Sequence, residues 1–225
     1  MPRACAPLRV SASLLLLAAC DSGTGQGLST DDPIDEARLD RSEPVGECGY
    51  PGPGPNGYGP ELDQRIANFT LVDCELEPVD FADFFCERDD AYGDYNKAIL
   101  LSIGAGWCEP CKDETAELMP EVFEPLHDQG LAIVQVLFED DQAMPPTSSF
   151  CRTWRDDLFN EPLGFPVWLD QSFTWADEFL LDPQSATPVT MLIDANGNIR
   201  WKVEGQNPPD TYEQALLVLS DPYGD

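Results

Sequence analysis

The sequence predicts an α/β fold, a mixed central sheet flanked by helices, and three observations carry that prediction. An apolar strand at Lys97 to Ile103 runs directly into a helix, strand and helix patterns then alternate, and a late hairpin around Asn196-Gly197 precedes a last helix. The 225 residues suffice for one domain with its own core plus segments ahead of it. Apolar content of 42% with 10% aromatics is ordinary for a globular chain, so a formal charge of −30 is no sign of wholesale disorder.

Residues 1–19 carry Arg3 and Arg9 ahead of the apolar run Val10 to Ala19, far short of the roughly 20 residues a spanning helix needs. They are expected to be a signal peptide. Leu17-Ala18-Ala19-Cys20 resembles the bacterial lipobox, in which the cysteine is lipidated and heads the mature chain. An acylated Cys20 would bury several hydrocarbon chains and hold the protein on a lipid bilayer. The chain from Cys20 onward has ten basic against forty-two acidic residues, a formal charge of −32, which argues against nucleic acid and anionic lipid surfaces as partners.

Seven cysteines follow the signal, and lipidation of Cys20 leaves six: Cys48, Cys74, Cys86, Cys108, Cys111 and Cys151. An even count suits an exported protein in an oxidising compartment, with one redox pair and four cysteines for two structural bridges. Three pairings of those four are possible, and the sequence does not choose among them.

Residues 20–60 are rich in Gly, Ser, Pro and acids, include Gly49-Tyr50-Pro51-Gly52-Pro53-Gly54-Pro55, and show no apolar period. They are expected to form a lipidated flexible tether, with the folded domain at 61–225. Within the domain, Ile66 to Val72 reads as a strand and Val79 to Phe85 as a short segment after it. Lys97 to Ile103 is a strand of the buried type. A helix from Glu109 to His127 follows, with Ala116, Met119, Val122, Phe123 and Leu126 on its apolar side and a kink at Pro120. Then come a strand at Leu131 to Phe138, a helix at Ser148 to Leu158, a strand at Phe165 to Leu169 and a helix near Thr174 to Leu180. Pro188 to Ile193 and Ile199 to Val203 form the hairpin, and Asp210 to Leu219 the last helix, after Pro208 and Pro209.

Trp107-Cys108-Glu109-Pro110-Cys111 lies where the buried strand meets its helix. There the first thiol meets unpaired N–H groups and the positive end of the helix dipole, which stabilise a thiolate, and the second thiol lies one turn on and can close a disulfide. Cys108 is the expected nucleophile and Cys111 the resolving thiol. A zinc site would need two further ligands, and with one histidine and no second Cys-x-x-Cys no metal is expected.

From about Ile66 to Leu219 the chain resembles the thioredoxin superfamily, and within it the TlpA/ResA-like membrane-anchored thiol–disulfide oxidoreductases. The resemblance rests on Asn68-Phe69-Thr70-Leu71, Val79-Asp80-Phe81, Trp107-Cys108-Glu109-Pro110-Cys111-Lys112 with Glu114, and Thr187-Pro188 before a strand. It implies a thioredoxin fold with no cofactor, a cis proline at Pro188 and Thr187 as the residue whose backbone docks a bound peptide. It also implies an extra helix and strand between the Cys-x-x-Cys helix and that proline, and Cys108 and Pro188 are indeed 80 residues apart. Active-site support is expected from Trp107, Glu109, Pro110 and Glu114, the last tuning proton transfer. Two departures from the family pattern are the small Gly104-Ala105-Gly106 before Trp107 and Ala116 where a proline is common.

Glu109, Asp113 and Glu114 surround the pair, opposed only by Lys112, and such acids raise a thiol pKa and favour a reductant over an oxidant. With the resemblance, this implies reduction of disulfides in exported proteins such as apocytochrome c, with a membrane-embedded or periplasmic electron donor, at the periplasmic face of a bacterial membrane. Three other functions fit less well. A Sco-type copper chaperone would have three residues between its cysteines and a downstream histidine, and no histidine follows His127, read here as a helix-end residue. A peroxidase would place Thr where Ala105 stands, three before Cys108. The third is a scaffold lipoprotein with an idle, oxidised pair. Trp154, Trp168, Trp175 and Trp201 read as core or rim aromatics.

Overall fold

The computed structural model describes residues 41–45, 48–86, 95–180, 187–206 and 208–224; the expected signal peptide and Cys20 lie outside them. Strands β1 (Arg41–Val45) and β2 (Cys48–Pro51) pair antiparallel as a small separate ribbon. The main sheet comprises β3 (Thr70–Val72), β4 (Pro78–Asp80), β5 (Ala98–Gly104), β6 (Leu131–Leu137), β7 (Val167–Leu169), β8 (Val189–Asp194) and β9 (Ile199–Glu204). Its order is β4-β3-β7-β6-β5-β8-β9. β6 runs parallel to β5 and β7, while β8 is antiparallel to β5, so the sheet is mixed, as expected.

Every residue of β5, β6 and β8 is buried, in keeping with their largely apolar sequences: both faces of the central strands are covered. One face presents Ile99, Leu101 and Ile103 to Phe81, Phe85 and Phe69. Ala98 and Leu100 face the other way, toward Leu118, Val122 and Leu126 of the helical layer and Ala215 and Val218 of the last helix. The chain alternates between the two because successive side chains of a strand point to opposite faces.

Helix α1 (Glu109–Leu118) follows β5. The kink expected at Pro120 takes the form of a π-helical turn, Met119–Phe123, after which the helix resumes only for Glu124–Leu126. Gly130, at φ 104°, ends the segment before β6. Helix α2 (Ser148–Arg152), N-capped by Thr147, also passes into a π-helical turn at Thr153–Asp157. Helix α3 (Pro208–Ser220) starts two residues earlier than expected, because prolines are well suited to a first turn, whose N–H groups have no helical partner.

Two elements are shorter than the sequence suggests. The strand expected from Ile66 is regular only from Thr70, because the chain at 63–66 bonds instead to the β8–β9 hairpin, Ile66 N–H to Gly197 O at 3.0 Å and Ile199 N–H to Gln64 O at 2.9 Å. The helix expected at 174–180 is a single 3-10 turn, Ala176–Glu178. There the buried Asp170 carboxylate takes the N–H groups of Trp175 and Ala176 at 2.9 and 2.8 Å and caps the start of the turn.

The boundary placed at residue 60 also differs. Tyr50 is 2% exposed, packs edge-on against Phe85 and donates its hydroxyl to Ile66 O at 2.6 Å. Residues 49–60 are therefore part of the folded body, because one aromatic in a Gly/Pro-rich stretch found an apolar slot. Cys74 and Cys151 form one structural disulfide, and Cys86 is disulfide-bonded to a partner outside the described side chains. The Cys74–Cys151 bond closes a separation of 77 residues and ties the β3–β4 turn to α2. Replacing both by alanine should lower stability by about 4.5 kcal/mol, the chain-entropy value for such a loop; a loss below about 1 kcal/mol in urea titration would contradict this role.

Candidate active site

β5 ends at Gly104, and the chain turns at Ala105 with Cys108 N–H donating to Ala105 O at 3.1 Å. The loop is fastened to the segment after β6 by Phe138 N–H to Gly104 O and Gly106 N–H to Glu139 O, at 3.2 and 2.9 Å. Cys108 thus stands immediately before α1, joined to Cys111 in a disulfide. The Cys111 N–H lies 3.1 Å from Cys108 Sγ, and Cys108 O accepts from the N–H groups of both Cys111 and Lys112 at 3.2 Å. A sulfur held this way, beside a first-turn amide at the positive end of a helix, is stabilised as a thiolate once the disulfide opens.

Cys108 is 3% and Cys111 1% exposed, so the pair lies just beneath the surface. Glu109 and Pro110 above it are exposed, and Glu109 pairs with Lys112 at 2.6 Å, a contact weakened by solvent. Trp107 is half-buried, its ring edge-on to Phe138 and its Nε1–H donated to Glu139 Oε2 at 2.6 Å. The Thr187–Pro188 peptide is cis, and because Val189 pairs with Ile103, Pro188 stands beside Gly104 at the same end of the sheet as Cys111. Thr187 is half-buried there and Pro188 buried, with Pro188 O accepting from Gly205 N–H at 2.7 Å. His127 is at the far end of the helical layer, its ring against Phe123.

Glu114 is buried at 1% exposure, and its Oε1 accepts from Thr190 Oγ1 at 2.6 Å and Ser102 Oγ at 3.2 Å. Glu114 stands out in the sequence but its partners do not, and they are two members of a row. Gln135, Ser102 and Thr190 are directly paired across β6, β5 and β8, so they point to the same face, beneath α1. A signal was present: each is a lone uncharged polar residue inside an apolar strand. Glu139, the partner of Trp107, was missed as well.

The small Gly104-Ala105-Gly106 has a steric cause. A Cβ at Gly104 would lie 3.2 Å from Cys111 Sγ, and one at Gly106 would overlap the Phe150 ring and stand 2.7 Å from the backbone of Asp140 and Asp141. Gly106→Ala should therefore cost about 1–3 kcal/mol through overpacking, and more than Gly104→Ala, whose new Cβ would meet its nearest neighbours at 3.2 Å rather than at overlap distance. Chemical denaturation of both variants checks this; equal losses would contradict it.

Residues 62–202 match the model of the AhpC/TSA family. The chain belongs to that family. Among similar proteins is the thiol:disulfide interchange protein DsbE of Escherichia coli (strain K12), 27% identical over 127 residues, which are 56% of this chain and 60% of that one. The thiol-disulfide oxidoreductase ResA of Oceanobacillus iheyensis is 28% identical over 121 residues, 53% of this chain and 56% of its own length. The chain thus spans less than two thirds of either relative. A solved secreted thiol-disulfide isomerase of Corynebacterium glutamicum superimposes with a TM-score of 0.55 at 18% identity, covering 70% of this chain and 87% of that one. This AhpC/TSA member has the thioredoxin-like fold expected from its sequence.

Proposed function

We propose that the protein is an extracytoplasmic thiol–disulfide oxidoreductase that reduces disulfides in exported proteins through Cys108 and Cys111. The single observation that carries this reading is the disulfide between them at the start of α1, with the Cys111 amide 3.1 Å from Cys108 Sγ. In the dithiol form, Cys108 thiolate attacks one sulfur of a substrate disulfide, a mixed disulfide forms, and the other substrate sulfur leaves as a thiolate that takes a proton. Cys111, deprotonated, then attacks Cys108 Sγ, closing the Cys108–Cys111 bond and releasing the second substrate thiol. The substrate gains two electrons and two protons, and an external protein dithiol, membrane-embedded or periplasmic, restores the pair.

Trp107, Glu109 and Pro110 would form the rim that a substrate meets, Thr187 its backbone docking residue beside Pro188, and Glu114 the group that handles the proton of Cys111. Cysteines of apocytochrome c are the substrate we favour, on the resemblance to TlpA/ResA-like proteins and the acidic Cys-Glu-Pro-Cys. Anchoring through a lipidated Cys20 would put this chemistry on the periplasmic face of a bacterial membrane.

The 3% exposure of Cys108 favours a second reading, a scaffold whose pair stays oxidised and idle. Insulin reduction separates the two. The native protein with dithiothreitol should precipitate insulin faster than dithiothreitol alone, Cys108→Ser should abolish the gain, and Cys111→Ser should accumulate a mixed disulfide visible on a non-reducing gel. Equal inactivity of all three forms, with no trapped species, would establish the scaffold instead.

A further inference from the structure

Gln135, the third member of the polar row, does not serve Glu114. Its Nε2–H₂ donates to Thr115 Oγ1 at 2.6 Å, and its Oε1 accepts from Trp154 Nε1–H at 2.8 Å. Thr115 Oγ1 in turn donates to Cys111 O at 2.7 Å. All four residues are at most 1% exposed. The direction of this chain is forced. Indole is a donor only, so the amide oxygen of Gln135 must face Trp154 and its NH₂ must face Thr115. The threonine hydroxyl, already accepting, sends its single hydrogen to the Cys111 carbonyl.

Trp154 belongs to the π-helical turn after α2, in the inserted segment between β6 and β7. That segment is fixed from below. Cys151 is bonded to Cys74, Ser148 Oγ donates to Cys74 O, and Arg152 donates to the same carbonyl at 3.3 Å. The insertion therefore reaches the redox pair through a buried line of hydrogen bonds that starts at an immobilised helix.

We propose that Trp154, Gln135 and Thr115 are positioning residues that set the thiol chemistry of the Cys108–Cys111 pair by holding Cys111 through its carbonyl. The proposal rests on the reading of that pair as redox-active. While the disulfide is intact, the covalent bond itself keeps Cys111 in place. After reduction the carbonyl bond from Thr115 adds to the Cys111 N–H bond to Cys108 O in keeping that N–H near Cys108 Sγ, and the amide stabilises the thiolate. A better-stabilised thiolate makes the dithiol form more favourable and the disulfide easier to reduce. Breaking the chain therefore raises the pKa of Cys108 and disfavours reduction.

The test is equilibration of the full-length protein with dithiothreitol: protein disulfide and reduced dithiothreitol give protein dithiol and its cyclic disulfide, two electrons and two protons passing to the protein. Alkylation and mass spectrometry of the Cys108–Cys111 peptide give the equilibrium constant without interference from Cys74–Cys151. Thr115→Val and Trp154→Phe should each lower it about fivefold, the worth of one net hydrogen bond, and shift the pH midpoint of Cys108 alkylation upward. Thr115→Ser, which keeps the hydroxyl, should retain the native constant. The double variant Thr115→Val/Trp154→Phe should fall little further than either single change, because both cut the same line. Leu118→Val, a core change on the same helix without a hydrogen bond, should lower stability and leave the constant alone.

The proposal is overturned if folded Thr115→Val keeps the native constant, if Thr115→Ser shifts as far as Thr115→Val, or if Leu118→Val shifts it equally. Near-UV circular dichroism establishes folding, and Trp154→Phe supplies the second variant should Thr115→Val fail to fold. A native protein that equilibrates with dithiothreitol but reduces no protein disulfide would refute the proposed function and leave this comparison intact.

Discussion

A row of polar side chains buried in the middle of a sheet must be answered by whatever covers it, and here that requirement fixes the helix carrying the cysteines. Gln135, Ser102 and Thr190 lie side by side on β6, β5 and β8, at most 1% exposed. Leaving such groups unsatisfied costs about 1–3 kcal/mol each. Helix α1 answers with Glu114 and Thr115, adjacent residues that meet opposite ends of the row. An apolar seam alone would let the helix slide or rotate slightly; two neighbouring polar residues with assigned partners do not. The position of Cys111, one turn before Glu114, follows from that registration, and Gly104 provides the space its sulfur needs.

The inserted segment between β6 and β7 takes part in the same construction. Its helix places Phe150 where only a glycine at 106 can face it, and the turn after it buries Trp154 against Gln135. The loop before Cys108 and the turn containing Cys111 are thus supported from the insertion side by shape and by hydrogen bonding respectively. On the opposite side of the sheet an aromatic layer of Phe69, Phe81, Phe85, Trp168 and Trp175 supplies bulk packing without polar contacts to the pair.

Much of the fold was legible because its strongest signals are local. The apolar runs of β5 and β6, the Asn-Gly turn of the hairpin and the strand-to-helix junction at Cys108 each follow from the residues that form them. The candidate site stands out at Trp107-Cys108-Glu109-Pro110-Cys111 for the same reason. What escaped depends on partners remote in sequence. Tyr50 sits in a stretch with no apolar period, and its slot is built by Phe81 and Phe85. The helix expected at 174–180 is a single turn, and the group that caps its start, Asp170, lies outside the pattern. Trp154 reads as an ordinary core aromatic until Gln135 is seen at its nitrogen.

The Cys74–Cys151 bond makes a demand on whatever resets the other cysteines. A reductant strong enough to open Cys108–Cys111 meets, on the same molecule, a second disulfide whose loss would unfasten α2. Both its residues are 0% exposed, against 3% for Cys108. All of these sulfurs lie beneath the surface, so a reductant that spares the Cys74–Cys151 bond has to distinguish two buried disulfides on one molecule.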